Sequence, residues 1–543
     1  MSKIAHYLQE HLQGEVTASP DVRQHFANDA SVLQVDPVLV AYPRNESDVR
    51  KTVRFAWQLA ERGKILPVTA RGGGTSTTGA AIGSGVILAF AAHMNQVEQL
   101  LVKKRSLVLQ PGMTYAVMEQ MLRSHGLFLP PSPSLPSHAT VGGGIATNII
   151  GEKSLKYGAT DQYVKSLRVV LSNGEVIETR PLDKKELNHK LGLQTLEGEI
   201  YRSLDKLLEE NADFIDRGRQ GIKALYNSCG YNIFDIKAKN KFNLTPLLIG
   251  SEGTLGITTE VTIDIKDHNP HTTQVLISLD ELGDLYEVLP RLLELKPSLL
   301  DMLNLTAIKQ VKNLNHNQLN DVSLREEAPI HLFVEFDDLK ESDQKKSLIK
   351  LKKIVDKVGA WCEIAKDVKN QERLLKLRDS VSTILIQPQG QARAVPVAED
   401  ICVPVDKLVE FMNRAEAIYK EVGLPPAMWG HAGSGVVRMR PVLDLDQTGD
   451  RQKLFKLQDG LYAVAVQLGG SISAGNGDGR IRAPYISLQY GEELYQLMLQ
   501  VKKTFDPHGI LNPGVKTAST DEVKRLLRTS YDSGRFADHL PRN

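Results

Sequence analysis

Two glycine triplets are the part of the sequence best suited to binding an anionic ligand. The first lies in Arg71–Ser76, which reads R-G-G-G-T-S, and the second lies in Thr140–Asn148, which reads T-V-G-G-G-I-A-T-N. Glycine has no Cβ atom, so consecutive glycines let backbone N–H groups approach and surround an anion. The pyrophosphate of a dinucleotide is the ligand that we expect.

The spacing of the glycines disfavours a nicotinamide cofactor. Neither triplet fits the pattern G-x-G-x-x-G with an acidic residue about 20 positions later, which is typical of Rossmann folds. Taken alone, each triplet is equally consistent with a tight structural loop. The residues around the triplets have to decide between a binding loop and a structural one.

The first triplet follows a predicted strand, helix and strand over residues 38–69. The helix is predicted to begin near Asn45 or Ser47 and to stop at Gly63. Its buried face consists of Val49, Val53, Ala56 and Ala60. Residues 72–84 are predicted to form a loop, and Leu167–Thr179 a β-hairpin closed at Asn173–Gly174. The triplets therefore belong to an α/β domain.

The remaining pattern predicts a second domain of mixed α+β type. Strands such as Val275–Leu279 and Ile330–Phe336 alternate with long charged helices. The lysine-rich run Lys345–Lys357 is predicted to be a solvated helix face. The predicted division is a helical segment over 1–35, a first domain over 36–266, a substrate domain over 267–516, and a terminal helix and tail over 517–543.

Composition excludes several classes of function. The chain has 543 residues, and Lys plus Arg number 66 against 65 for Asp plus Glu, so no net charge steers it to nucleic acid or to an anionic membrane. Its three cysteines form no C-x-x-C pair, which disfavours disulfides and iron–sulfur clusters. Neither a signal peptide nor a transmembrane segment is predicted, so we expect a cytoplasmic protein, peripheral at the membrane at most.

The order of several motifs resembles the FAD domain of the vanillyl-alcohol oxidase superfamily. These motifs are the two triplets, P-S-x-x-S before the second one, Tyr157–Gly158, and G-S-E-G-T-L-G-I at 250–257. The resemblance implies a PCMH-type FAD-binding domain of two α/β subdomains and an α+β substrate domain with an antiparallel sheet. It implies FAD ligands at Arg71, Gly72, Gly73, Gly74, Thr75, Ser76, Gly79, Pro133, Ser134, Thr140, Val141, Gly142, Gly143, Gly144, Thr147, Asn148, Tyr157, Glu252, Gly256, Ile257 and Asn512. Members with covalent flavin have histidine where this chain has Thr75, so noncovalent FAD is expected.

The second domain resembles the C-terminal domain of FAD-linked oxidases. The matching segments include K-L-R-D around Arg378, W-G-H-A-G around His431, and F-D-P-H-G-I-L-N-P-G at 505–514. The segments M-R-P-V-L-D-L and G-D-G-R-I-R most closely resemble those of the flavin plus iron–sulfur D-2-hydroxyacid dehydrogenases. Because those relatives continue into a cysteine-rich region, we expect a separate electron acceptor here: an iron–sulfur protein, a quinone or a dye-like carrier. A homodimer is also expected.

Three of four positions that hold a metal or a base in the metal-dependent relatives differ here. Arg438 replaces a second histidine, and Gly475–Asn476 replaces Glu-His. We therefore expect no metal, because one imidazole does not make a closed metal site. The departures also include Ile149–Ile150, where relatives have small residues beside the flavin.

Oxidation of a 2-hydroxy acid requires a base, a cation for the carboxylate, and a hydride acceptor. By resemblance, the candidate catalytic residues are Arg378 for the carboxylate, His431 as the base, and Asn476. A surface ion pair with Asp379 or Glu372 is the alternative for Arg378, and a structural role in a glycine turn is the alternative for His431. Candidate substrate ligands are Arg438, Arg440 and Arg480, which form a cationic group with Arg482. Alternatively, these arginines form ion pairs with Asp444 and Asp478.

The resemblance implies an FAD-dependent dehydrogenase of a D-2-hydroxy acid of the lactate, glycolate or 2-hydroxyglutarate type. Two alternatives are retained. One is a flavin-binding electron-transfer or regulatory subunit that has lost dehydrogenation, which the missing Glu-His pair favours. The other is a flavoenzyme similar to ether-lipid synthases, for which the arginine group would bind phosphate.

Overall fold

The computed structural model describes residues 3–238, 240–314, 325, 327–365, 367–384 and 392–529. Up to residue 267 the strands are β1 Glu15–Thr17, β2 Leu39–Tyr42, β3 Val68–Arg71, β4 Val86–Ala89, β5 Val97–Leu101, β6 Ser106–Leu109, β7 Leu127–Phe128, β8 Val164–Val170, β9 Val176–Thr179, β10 Lys237–Ala238, β11 Lys241–Phe242, β12 Ile257–Asp264 and β13 Lys266–Asp267. The helices of this part are α1 Lys3–His11, α2 Pro20–Phe26, α3 Glu46–Ala60, α4 Tyr115–Ser124, α5 Val141–Thr147, α6 Ser154–Tyr157, α7 Lys184–Leu191, α8 Leu196–Glu210, α9 Ala212–Gln220 and α10 Thr245–Leu248.

The remaining residues form a second set of elements. Its strands are β14 Thr273–Leu279, β15 Leu299–Asn304, β16 Ile330–Phe336, β17 Trp361–Ile364, β18 Arg393–Ala394, β19 Ile401–Cys402, β20 Met428–His431, β21 Val436–Met439 and β22 Val442–Leu443. Its helices are α11 Leu285–Glu294, α12 Leu305–Leu314, α13 Glu341–Lys357, α14 Val368–Ile384, α15 Leu408–Glu421, α16 Thr448–Gln467, α17 Ile486–Tyr490, α18 Glu492–Phe505 and α19 Thr520–Leu526. The fold is of the predicted α+β class.

The first sheet has four strands in the order β1-β2-β4-β3, and β2, β4 and β3 run parallel. Helix α3 begins as predicted, because the side chain of Asn45 accepts a hydrogen bond from the N–H of Asp48. Its valines and alanines are buried against this sheet, as their helical spacing predicts. The sheet ends at Arg71, and the predicted loop follows.

The second sheet is antiparallel, with the order β5-β6-β12-β8-β9. Strands β8 and β9 form the predicted hairpin, and Gly174 in its turn has φ +82°. In β12 buried residues alternate with partly exposed ones, which is the pattern of a strand with one face in the core. The two sheets are the two predicted subdomains.

The second glycine triplet lies in a short helix, α5, and is not a loop like the first. The hydroxyl of Thr140 caps this helix by accepting a hydrogen bond from the N–H of Gly143 at 3.2 Å. Asn148 ends the helix in the left-handed conformation at φ +54°. Three glycines remain helical here because Thr140 at one end and packing of Val141 and Ile145 in the core fix the segment.

The third sheet belongs to the second domain and has seven strands in the order β17-β14-β16-β15-β20-β21-β19, all of them antiparallel. Strands β14 and β16 contain the two segments predicted from the sequence. In β20 and β21 Trp429 lies opposite Arg438, so these two side chains share one face of the sheet. His431 shares that face because it follows Trp429 by two residues.

The terminal segments differ in part from the expectation. The segment 1–35 has two helices but also contributes β1, which pairs with β2 and extends the first sheet. Helix α19 agrees with the predicted terminal helix, whereas the tail from residue 530 onward lies outside the described residues. No helix in the described ranges is both long and apolar enough to cross a membrane.

Candidate functional site

One cleft collects most of the residues that sequence reasoning assigned to FAD. It contains about 1760 Å³ of empty space, part of it open to solvent, between the FAD domain and the third sheet. The predicted FAD ligands that line it are Arg71, Gly72, Gly73, Gly74, Thr75, Ser76, Pro133, Ser134, Thr140, Gly142, Gly143, Gly144, Thr147, Glu252, Gly256 and Ile257. The two glycine triplets, far apart in sequence, thus form one wall.

The glycines are required because the two segments touch. A Cβ atom on Gly73 would lie 1.7 Å from the carbonyl oxygen of His138, and one on Gly72 would lie 2.0 Å from the hydroxyl of Thr140. Gly74 has φ +69°, a conformation that favours glycine. This bare backbone beside the capped end of α5 fits a dinucleotide pyrophosphate, because backbone N–H groups provide its ligands.

The side chain of Arg71 stabilises the first glycine loop through hydrogen bonds to backbone carbonyl oxygens. Its guanidinium donates hydrogen bonds to the carbonyl oxygens of Asn28 at 2.7 Å and of Ala81 at 3.2 Å. Burial lowers the pKa of Arg71 to about 10, and the nearby carboxylate of Asp29 opposes that shift. The side chain therefore stays charged at neutral pH and holds the loop in place.

Five predicted FAD ligands do not line the cleft, namely Gly79, Val141, Asn148, Tyr157 and Asn512. Asn512 supports two cleft walls, because its amide donates to the carbonyl oxygens of Ala80 and Glu252, each at 2.9 Å. The hydroxyl of Tyr157 donates to Asp337 at 3.0 Å, on the second domain. The FAD contacts expected of these five residues stay predictions.

The second domain supplies the opposite wall of the cleft with charged and polar side chains. Glu399, Trp429, Arg438, Arg440 and Asn476 all line it. Arg440 forms an ion pair with Glu399, and the Nη1 of Arg438 donates to the hydroxyl of Ser134 at 3.2 Å. Arg438 thus bridges the two domains at the cleft.

Asn476 is held at the cleft by its backbone. Its N–H and that of Gly475 both donate to the carboxylate of Asp400 at 2.7 Å. Asp400 is fully buried and has φ +63°, so the tertiary structure imposes an uncommon backbone conformation at this position.

His431 lies beside the cleft with its ring oriented by a carboxylate. Its Nδ1 is 2.7 Å from the Oδ1 of Asp301 on the neighbouring strand. The Nε2 is buried and has no hydrogen-bond partner among the described residues. If Nδ1 carries the proton and donates to Asp301, Nε2 keeps a lone pair for accepting another.

Arg378 and Arg480 lie outside the cleft lining, and the roles expected of them stay predictions. Arg378 forms ion pairs with Glu152 and Asp379, so its charge is already matched by carboxylates of the chain. Burial lowers the pKa of Arg378, but these carboxylates outweigh that effect and raise the pKa overall. Arg480 is buried and donates to the carbonyl oxygens of Gly79 and Pro513.

The alternative ion pairs of the arginine group with Asp444 and Asp478 are not formed among the described residues. Arg482 lies 3.7 Å from Asp400. Asp478 pairs at 2.6 Å with Lys516, which lies 3.3 Å from Glu252. This buried cluster joins the FAD domain to the segment after the third sheet, and it uses the carboxylate of Glu252 that had been assigned to FAD.

Sequence reasoning missed several contributors to the site. Asp301, Glu152 and Lys516 carried no motif or spacing signal, since their partners are distant along the chain. Ile149 and Ile150 do line the cleft, as their position in the second glycine segment indicated. In the described residues no group of three or more His, Cys, Asp or Glu side chains is arranged to hold a metal ion. The metal-free site stays a prediction.

Comparison with family models agrees with this geometry. A model described as "FAD binding domain" matches residues 37–180, and one described as "FAD linked oxidases, C-terminal domain" matches residues 268–515. The domain boundaries proposed from the sequence remain predictions.

The chain is also similar to several curated proteins. It is 30% identical over 522 residues to the D-2-hydroxyglutarate dehydrogenase of Escherichia coli, an alignment that covers 93% of this chain and 50% of the relative. It is 28% identical to a D-lactate dehydrogenase of Archaeoglobus fulgidus, covering 88% and 90% of the two chains. The chain thus spans about half the length of the D-2-hydroxyglutarate dehydrogenases that it matches.

Solved structures share the fold. The 4-ethylphenol oxidase from Gulosibacter chungangensis matches with a TM-score of 0.67 at 15% identity, covering 95% of this chain and 97% of that one. A p-cresol methylhydroxylase matches with a TM-score of 0.66 at 12% identity, covering 96% and 97%. The cofactor is FAD, bound noncovalently, and Thr75 stands at the position where covalent members have histidine. Residues 37–180 thus belong to the FAD binding domain family, and residues 268–515 belong to the C-terminal domain family of the FAD linked oxidases.

Proposed function

We propose that this protein is a dehydrogenase that oxidises a D-2-hydroxy acid. The observation that carries the proposal is the composition of the cleft described above. The glycine segments that fit a dinucleotide form one wall, and a cation, Arg438, lies on the other beside His431. The named relatives that oxidise D-2-hydroxyglutarate or D-lactate support the same class of substrate.

Different residues of the second domain perform different parts of the reaction. When bound, FAD supplies the acceptor for the hydride that leaves the substrate carbon. Arg438 binds the carboxylate, because a guanidinium stays charged and offers two parallel N–H donors. The Nε2 of His431 accepts the hydroxyl proton, and Asp301 stabilises the charged imidazole. Asn476 provides an amide at the same wall.

An anaerobic titration of the flavin absorption spectrum tests the proposal. D-lactate, glycolate, D-2-hydroxyglutarate and D-malate are added in turn to the purified holoprotein. We expect at least one of them to bleach the oxidised flavin band. A bound flavin that no member of the panel reduces would contradict the proposal and favour the electron-transfer subunit.

We further propose that the electrons leave through a separate acceptor. Reoxidation of the reduced flavin, measured with a quinone, an iron–sulfur protein and dioxygen, tests this proposal. Reoxidation by dioxygen at the rate of turnover would contradict it. Cytoplasmic location and homodimer formation stay predictions, to be tested by cell fractionation and light scattering.

A further inference from the structure

The charged side chains that line the cleft differ in how their charge is matched. Arg71 donates to carbonyl oxygens, and Glu252 accepts backbone N–H groups and lies near Lys516. Arg440 is paired with Glu399. Arg438 has no carboxylate within 4 Å in the described part of the chain, and Ser134 is its hydrogen-bond partner. It is therefore the cleft cation best placed to bind an anion.

Burial supports this distinction between two neighbouring arginines. The side chain of Glu399 is 2% exposed, and Trp429 lies 5.8 Å from the guanidinium of Arg440. An anion that approaches Arg440 would meet the carboxylate of Glu399. By contrast, the Nε of Arg438 is buried without a hydrogen-bond partner among the described residues, so the chain does not satisfy all the donors of this guanidinium.

Part of the lining of the cleft is apolar. Leu135, Ile149, Ile150 and Trp429 line the same cleft. A carboxylate that lost water against such side chains without a cation would be strongly disfavoured, whereas a methyl or ethyl group would be stabilised by burial. The cleft therefore matches one carboxylate and one short apolar side chain.

We propose that the cleft selects 2-hydroxy monocarboxylates with a short apolar side chain and discriminates against 2-hydroxy dicarboxylates. The single carboxylate binds to Arg438 together with Ser134, and Glu399 keeps Arg440 from binding a second one. This inference rests on the proposed function, since it names the substrate class of the same site.

Pairs of substrates with the same carbon-chain length isolate the effect of the second carboxylate on binding. D-2-hydroxybutyrate is compared with D-malate, and D-2-hydroxypentanoate with D-2-hydroxyglutarate, by anaerobic flavin reduction. We expect the apparent dissociation constant of the monocarboxylate to be lower by about tenfold or more in each pair. Equal or tighter binding of the dicarboxylates would overturn the inference and leave the dehydrogenase assignment intact.

Binding of the matching 2-oxo acids separates selectivity from catalysis. The perturbation of the flavin spectrum by 2-oxopentanoate and by 2-oxoglutarate gives a dissociation constant for each without turnover. We expect 2-oxopentanoate to bind more tightly. If that preference is found but none of the hydroxy acids reduces the flavin, the proposed function fails while the selectivity stands.

Two variants test the arginine assignment directly. Glu399→Gln removes the charge that neutralises Arg440, so it is expected to reduce the discrimination against dicarboxylates by about tenfold. Arg438→Gln is expected to weaken the binding of both substrates of each pair by about a hundredfold, with the flavin content unchanged. Arg414→Gln on the surface is the matched control. Unchanged discrimination in Glu399→Gln, or unchanged affinity in Arg438→Gln, would overturn the inference.

Discussion

The two walls of the cleft are built on different principles. The FAD-domain wall consists mainly of backbone, with glycines that fit only where no side chain intervenes. The wall from the second domain consists mainly of polar and charged side chains, and its charged residues differ in whether they have an ion-pair partner. The first wall therefore depends on close backbone contact, which the glycines of the sequence permit, and the second depends on pairings of charged side chains that form only when distant segments meet.

The difference between the two walls also corresponds to the difference between cofactor binding and substrate selection. Backbone N–H groups bind any pyrophosphate of suitable shape, so the glycine wall explains why the FAD domain is recognisable in the sequence. Whether a charged side chain can bind a substrate depends on whether another residue of the chain already neutralises its charge. Arg378 and Arg440 are matched by Glu152 and Glu399, and Arg438 is available. Selectivity follows from this distribution of charge.

The largest effect is expected for the buried cluster that joins the two domains. Lys516→Met leaves the carboxylates of Asp478 and Glu252 without their cation, so the free energy of unfolding should fall by about 3–5 kcal/mol. Urea unfolding measures the change, and Lys352→Met on an exposed helix face is the control. A variant as stable as the parent would show that the backbone N–H groups on Glu252 suffice.

A smaller effect is expected on the glycine wall. Gly73→Ala places a Cβ atom against the carbonyl oxygen of His138, so the loop must shift. We expect FAD to bind about a hundredfold more weakly, which corresponds to about 2.7 kcal/mol. The ratio of flavin to protein after dialysis measures this. Gly283→Ala, whose Cβ would meet no atom within 4 Å, should retain flavin, and equal retention by both variants would contradict the role of the triplet.

The third sheet contains a second histidine that contrasts with His431. Burial lowers the pKa of His331 to about 4, and among the described residues its ring contacts the hydroxyl of Ser278 but no carboxylate. Because the unfolded state binds a proton near pH 6.5 and the folded state does not, the stability present above that pH is lost progressively down to about pH 4. We expect a loss of about 2 kcal/mol between pH 7 and pH 5 from this residue.

Unfolding of the parent and of His331→Gln at both pH values isolates this contribution. The variant has no imidazole to protonate, so its stability should fall by about 2 kcal/mol less over the same interval. Identical pH dependence in the two proteins would show that the ring becomes charged without unfolding.

The smallest effect is expected for a feature visible in the sequence alone. Asn45→Ala removes the hydrogen bond from the N–H of Asp48 at 3.0 Å, so the free energy of unfolding should fall by about 1 kcal/mol. Asn188→Ala, at an exposed helical position, is the control and should not destabilise. A loss of stability as large as that expected for Lys516→Met would contradict the view that a local helix cap contributes less than a buried tertiary ion cluster.

Particular elements show how far sequence reasoning reaches. Helix α3, the hairpin of β8 and β9, and strands β14 and β16 were predicted correctly, because periodicity, caps and turn residues act over a few positions. The helical form of the second glycine segment was not predicted, since its stability comes from core packing. The FAD domain and its cofactor were recognised from motifs for the same local reason.

The sequence by itself determined the fold class, the cofactor and the positions of the glycines in the wall, because these follow from residue patterns that extend over a few positions. Only the tertiary structure decided which ionisable groups meet. His431 contacts Asp301, Arg378 contacts Glu152, and Arg440 contacts Glu399. These pairs join residues that are far apart in the chain, so strand register and domain packing bring them together, and the availability of Arg438 is a consequence of those pairings.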